Sequence, residues 1–313
     1  MLLGVEARVR QVWEAEGGLL GAAARRALSG RGKRLRPAVL LLAAESAGRA
    51  TESSAILGAV VELLHTASLV HDDVVDGSGS RRGKRSVNAE WGNKISVLLG
   101  DYLLTEALAL LPSEERDRFL REMLAVARWM CAGQVEELRS AGSLLTEAEY
   151  LAIARAKTGS LFGLCGKVGA ESGGGPPETA AALEGFAERF GIAFQLADDI
   201  LDLVGTDGRS GKPEGRDLAE GKFTLPVILA AERGDGETRE RLEALLAQEH
   251  ISSSDAQEVR RLAESTGAVG YAWEKVGEWL EAARTQLVVV PESEAKEALA
   301  ALTGKRFPLP VMC

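Results

Sequence analysis

The sequence predicts an all-α fold: a large single-domain helical bundle around a central cavity, covering residues 1–313. Three observations lead there. No alternating period-2 pattern of any length appears, so strands are at most minor. Aromatic residues make up only 5% of the chain while Ala and Leu abound, which favours helices over strands. Finally, two apolar, helix-compatible runs each end in three aspartates at offsets 0, 1 and 4. These are Asp72, Asp73 and Asp76, then Asp198, Asp199 and Asp202. Two such clusters far apart in the chain suggest two helices facing one another across a cavity, with divalent ions between them.

Residues 5 to 28 read as one mixed amphipathic helix, broken by Ser29-Gly30-Arg31-Gly32-Lys33. Arg34-Leu35-Arg36-Pro37 leads into the apolar run 38 to 44, with Pro37 where a first turn tolerates it. Residues 51 to 76 read as one long helix bearing the first cluster, ended by Gly77-Ser78-Gly79-Ser80. A polar connection, 81 to 91, precedes a helix over 93 to 111 closed by Pro112. The next, 113 to 138, opens on Ser113 with two acids behind it. Thr146 and Glu149 form a capping-box pattern for a helix over 146 to 170. Gly173 to Pro177 is the clearest loop, and the helix after it, 177 to 203, bears the second cluster. Residues 205 to 222 are rich in Gly, Lys and Asp and read as a mobile lid with a short turn. Residues 224 to 313 read as four or more ordinary amphipathic helices with solvated charged faces.

Composition bounds the function. The 313-residue chain carries a net charge of -9, which argues against nucleic acid as a main partner. Small phosphates need only a local basic pocket. Cys131, Cys165 and Cys313 show neither metal-ligand spacing nor a disulfide framework and read as reduced thiols of a cytoplasmic protein. The first residues lack the apolar core of a secretory signal. No window reaches the roughly 18 uncharged residues of a spanning helix.

Aspartates four apart share a helix face and repel, so a cation belongs between them. Each cluster alone also reads as a solvated helix end. That reading weakens because apolar residues flank both clusters and basic residues follow both: Arg81-Arg82-Gly83-Lys84 after the first, Lys212 and Lys222 after the second. Mg2+ prefers a few carboxylates plus water and phosphate oxygens over an all-protein cage. Arg and Lys then hold the oxygens that the metal leaves. Gly32-Lys33-Arg34-Leu35-Arg36-Pro37 places three cations before a helix start, which suits a phosphate.

The chain resembles the trans-isoprenyl diphosphate synthases, the polyprenyl synthetase family, of the medium- or long-chain type. Matching blocks run in family order from Gly32–Pro37 through Glu62–Asp76, Arg81-Arg82-Gly83, Leu98–Tyr102, Gly133-Gln134, Lys157–Phe162, Phe194–Asp202 and Gly221–Pro226. The resemblance implies an enzyme that condenses isopentenyl diphosphate with an allylic diphosphate into an all-trans polyprenyl diphosphate, with Mg2+ as cofactor. It implies Asp72, Asp76 and Asp198 as metal ligands, and Asp73, Asp199 and Asp202 as further or water-mediated ones. Arg81, Lys157, Thr158, Gln195, Lys212 and Lys222 are implied as partners of the allylic diphosphate. Lys33, Arg36, His65 and Arg82, with Arg34 nearby, are implied for isopentenyl diphosphate. Asp72, Asp76, Arg81, Lys157, Asp198 and Lys212 are implied to carry the ionisation step. A homodimer and a loose membrane association through the product are implied likewise.

The chemistry fits the residues. Neutralising the departing diphosphate lowers the barrier to breaking the allylic C–O bond, and holding the second substrate alongside replaces a collision. Leu64, Ala67 and Ser68 lie near the face of Asp72. Ala67 and Ser68 are small, so a product tunnel continues deeper, and a product of about C30 to C50 is expected from the helix rise. Trp129 is a candidate tunnel floor, and equally a plain core or interface aromatic. Two rivals remain: a subunit of a heteromeric synthase that needs a partner, and a class I terpene synthase.

Overall fold

The structure, a computed structural model, describes residues 1–30, 32–81, 83–113, 116–205, 215–248 and 251–304. Arg82, Lys212 and Cys313 lie outside the described residues, as does half of the expected lid, 206–214. Among the described residues the architecture is helical throughout, apart from one two-stranded hairpin pairing Ser80–Arg81 with Lys84–Arg85.

The expected first helix is two, α1 (Leu2–Glu14) and α2 (Gly18–Leu28). Gly18 takes φ +62°, a conformation that breaks a helix and suits glycine. Next comes α3 (Leu35–Ala47), whose N-cap, Arg34, is itself left-handed at φ 49°. Helix α4 (Glu52–Val75) begins in a capping box of Thr51 and Ser54. The expected polar connection is the hairpin followed by a short helix, α5 (Val87–Trp91). Two long helices follow, α6 (Asn93–Ala109) and α7 (Arg116–Arg139).

The expected helix over 146 to 170 starts where the Thr146–Glu149 capping box places it. It divides into α8 (Glu147–Ala154), one wide turn of π geometry (Arg155–Gly159), and α9 (Ser160–Ser172). Helix α10 (Pro177–Val204) bears the second cluster. Beyond it lie α11 (Arg216–Ala219), α12 (Leu225–Arg233), α13 (Gly236–Leu246), α14 (Ser253–Ser265), α15 (Ala268–Gln286) and α16 (Glu294–Leu302).

The centre is built from α10 packed on α9 and α15, α3 on α9 and α4, and α4 on α6. One hydrophobic cluster runs from Val5 in α1 to Leu299 in α16. Helices α9 and α10 approach closely because Gly166 has no side chain: a Cβ there would lie 2.1 Å from the Leu183 carbonyl oxygen. Phe162, Phe186, Phe190 and Phe194 stack between these helices, with Phe162 edge-on to Phe190 at 5.4 Å. Such pairs add to the burial of their area. Helix α4 alone among the described helices has the length and apolarity to cross a membrane, and most of that window is buried inside the bundle.

Candidate active site

The C-terminal ends of α4 and α10 form opposite walls of a cavity of about 900 Å³. Asp72 and Asp76 line it from α4; Asp198 and Asp202 line it from α10. Four-residue spacing returns a side chain to the same face, so the outer aspartates of each cluster share the wall. The inner ones do not. Each sits one residue further round its helix, is buried, and is absent from the cavity lining. Asp73 accepts from Arg81, whose Nε lies 2.9 and 3.0 Å from its two carboxylate oxygens. Asp199 accepts from Gln195 Nε2 at 2.7 Å and from the Tyr150 hydroxyl. Asp73 and Asp199, expected as further or water-mediated ligands, thus stand behind the cavity wall with their oxygens on neighbouring side chains.

The segment from Gly215 to Lys222 spans from one wall to the other. The Asp217 amide donates to Asp202 Oδ2 at 3.0 Å and the Gly215 amide to the Asp202 carbonyl at 2.9 Å. At the other wall Lys222 Nζ lies 3.1 Å from Asp76 Oδ1, and an Arg216 Nη2 lies 3.9 Å from Asp76 Oδ2. Lys222 also reaches Glu220 at 2.8 Å and Glu137 at 3.5 Å. Lys157 pairs with Glu137. Arg216 donates to Glu220 at 2.7 Å and to the Ser78 hydroxyl at 2.8 Å.

Lys157 and Thr158 reach the cavity from the π turn, a local widening common at functional sites. Helix α7 can approach that turn because position 133 is glycine. A Cβ there would lie 2.8 Å from the Ala156 Cβ and 3.0 Å from Lys157 Cγ.

Electrostatics mark the walls as short of positive charge. Burial raises Asp72 to about 6, opposed by Lys157 and reinforced by Asp76. Asp217, partly buried, is raised well above the usual range by desolvation and then by Asp202. Among the described residues no three potential ligands converge on one ion. Hard carboxylate oxygens offered one or two at a time suit Mg2+, which completes its shell with water and phosphate oxygens.

Lys33, Arg34, Arg36 and His65 line the same cavity. Arg36 Nη1 and His65 Nε2 lie 2.9 Å apart, and the Arg36 guanidinium lies 4.6 Å over the Phe162 ring. Arg34 is also engaged within the fold. Its guanidinium pairs with the buried Glu62 and donates to the Leu28 carbonyl at 2.7 Å.

Deeper in, the wall is apolar. Leu64, Ala67 and Ser68 line it from α4, and Leu104 from α6. Helix α7 contributes Ala127, Met130, Cys131, Gln134, Val135 and Leu138, a single stripe at helical spacing. Trp129 falls off that stripe. It is 52% exposed on the outer surface of α7, under the Arg155 guanidinium at 5.8 Å, so it does not floor the cavity. Sequence reasoning missed Glu137, Tyr150, Arg216, Asp217 and Glu220. The last three stand beside Lys222 in the Gly/Lys segment, which is a usable signal; Glu137 and Tyr150 carry none.

The polyprenyl synthetase family model matches residues 18–263. A short-chain isoprenyl diphosphate synthase of Methanothermobacter thermautotrophicus is 38% identical, over 86% of this chain and 84% of its own. A geranyl-diphosphate-specific all-trans-nonaprenyl-diphosphate synthase of Rhodobacter capsulatus is 39% identical, over 87% of this chain and 83% of its own. Among solved structures, a polyprenyl synthase of Caulobacter crescentus complexed with calcium and isoprenyl diphosphate superposes with a TM-score of 0.91 at 34% identity, covering 96% of this chain and 92% of that one.

Proposed function

The chain belongs to the polyprenyl synthetase family, and from that premise we propose that it condenses isopentenyl diphosphate with an allylic diphosphate into all-trans polyprenyl diphosphates of about C30 to C50. It is a prenyltransferase acting as a single catalytic domain; the continuous hydrophobic cluster supports this. The observation that carries the reading is the opposed set Asp72, Asp76, Asp198 and Asp202 above an apolar shaft.

These four aspartates hold Mg2+; the calcium in the Caulobacter relative supports a divalent ion here. When bound, Mg2+ supplies positive charge to the diphosphate oxygens and eases C–O ionisation. Lys157, Gln195, Thr158 and Lys222 surround the allylic diphosphate, and Arg81, steadied by Asp73, faces it; the family resemblance adds Lys212. Lys33, Arg36, His65 and Arg82 hold isopentenyl diphosphate, whose double bond is kept alongside the allylic carbon. The proton is lost to the departing diphosphate. The hydrocarbon tail enters between α4 and α7, where apolar walls exclude water from the cation.

Small residues at Ala67 and Ser68 support a long product, as does the nonaprenyl relative. Exposed Val97 and Leu98 on α6 and Leu124 and Trp129 on α7 support a homodimer across these helices. Free Cys131 and Cys165 support a cytoplasmic location, with loose membrane association through the product.

The test is incubation of the purified chain with isopentenyl diphosphate, a series of allylic primers and Mg2+, with products separated by chromatography. The expected result is a ladder of prenyl diphosphates ending between C30 and C50. Hydrocarbon formed from the primer alone would make it a terpene synthase. Turnover only after adding a second chain would make it one component of a heteromeric enzyme.

A further inference from the structure

Tyr150 stands on α8, outside both acidic helices, yet its hydroxyl ends at Asp199 in the heart of the site. It is buried, and its hydroxyl donates to that carboxyl group. Asp199 is buried as well, and both of its oxygens are occupied: Oδ2 by Tyr150, Oδ1 by Gln195 Nε2 at 2.7 Å. The Gln195 amide thus turns its nitrogen to Asp199. Its oxygen then faces the other way and accepts the Thr158 hydroxyl at 2.7 Å.

We infer that Tyr150 is a positioning residue that, through Asp199, fixes the amide of Gln195 so that its second N–H is the donor offered to a diphosphate in the cavity. Gln195 and Thr158 both line that cavity, while Tyr150 and Asp199 line the smaller recess behind it. With the Thr158 proton committed to Gln195, the donor on this wall is the amide. Without the phenol, Asp199 is held from one side only. The Gln195 side chain is then free to turn over and present its carbonyl oxygen to an anion, which repels it.

The inference deepens the proposed allylic diphosphate subsite and rests on it. The test compares the unaltered enzyme with Tyr150→Phe, Asp199→Asn and the double variant. The readouts are steady-state KM for each substrate, melting temperature, and binding of inorganic pyrophosphate with Mg2+ by calorimetry. Tyr150→Phe is expected to raise KM for the allylic substrate and weaken pyrophosphate about tenfold, the scale of a hydrogen bond to a charged group. KM for isopentenyl diphosphate stays within about twofold. Because Tyr150 acts through Asp199, the double variant is no worse than Asp199→Asn alone. Asp199→Asn by itself gives the same split between the two substrates. Equal effects on both KM values, additive effects in the double variant, or unchanged pyrophosphate binding would overturn the assignment. Failure of the underlying function shows elsewhere: the unaltered enzyme would not extend an allylic primer at all.

Discussion

Ala67→Phe should shorten the product, and the structure sets by how much. Ala67 is buried yet lines the cavity. It precedes Asp72 by five residues, about 7.5 Å along the helix. A Cβ leans toward the helix N-terminus, which here is the deep end, so the introduced ring fills the shaft just below that level. One isoprene unit is comparable with one turn, about 5.4 Å. The tail is then stopped after two or three units, giving products of about C10 to C15 in place of C30 to C50. Leu64→Phe, about 4.5 Å deeper, should end about one unit later. Because the ring enters open space, the folding cost should stay at or below the roughly 1–3 kcal/mol of an overpacked core. The assay is product chromatography beside a melting curve. If both variants retain activity and the unaltered length distribution, the tail does not run down this face of α4 and the shaft has been misplaced.

Arg34→Ala removes the partner of a buried carboxylate, Glu62, and should cost about 3–5 kcal/mol, read as a lower melting temperature. Arg36→Ala should instead raise KM for isopentenyl diphosphate at least about tenfold, through loss of a charge-assisted contact, with the smaller effect on melting. Trp129→Ala should leave product length untouched and weaken the proposed dimer; sedimentation velocity at falling concentration reads this. Burial raises the Cys165 thiol to about 12, and only the thiolate reacts. At neutral pH iodoacetamide should therefore modify exposed Cys131 and spare Cys165, as peptide mapping of the folded protein would show.

The helical architecture was legible because apolar periodicity survives in nearly every segment, and the two acidic walls because i,i+4 spacing fixes a shared face. What stayed hidden lies in tertiary pairing. Nothing local tells Asp73 from Asp72; the difference is that Arg81 folds back over the hairpin to take it. Arg34 looked like one of three phosphate-seeking cations because Glu62 is remote in sequence. The π turn adds a single residue to a helix that otherwise reads unbroken. The break at Gly17-Gly18 and the position of Trp129 are another matter. A glycine pair and a stripe over 127 to 138 are local signals, and the amphipathic and aromatic patterns beside them mask both.

The charges around the cavity work as an exchange. As it stands, Lys222 neutralises Asp76 and Glu220, Lys157 neutralises Glu137, and Arg216 serves Glu220. One of these carboxylates, Asp76, is among those that bound ions must claim, and Lys222 and Arg216 both stand against it. Mg2+ alone would have to displace lysine and arginine, leaving those cations stranded in a partly buried site. A diphosphate alone would draw the cations away and leave Asp72 and Asp76 facing one another, with Asp72 already raised to about 6. Either half-step costs electrostatic energy; together they do not, since ions take the carboxylates while Lys and Arg move to phosphate oxygens. Mg2+ and inorganic pyrophosphate should therefore bind cooperatively. In calorimetry each should tighten the other by the same factor, about 5–150-fold for a coupling of ordinary size. Independent binding would mean that Lys157, Arg216 and Lys222 do not change partners, and that their carboxylate pairs are structural.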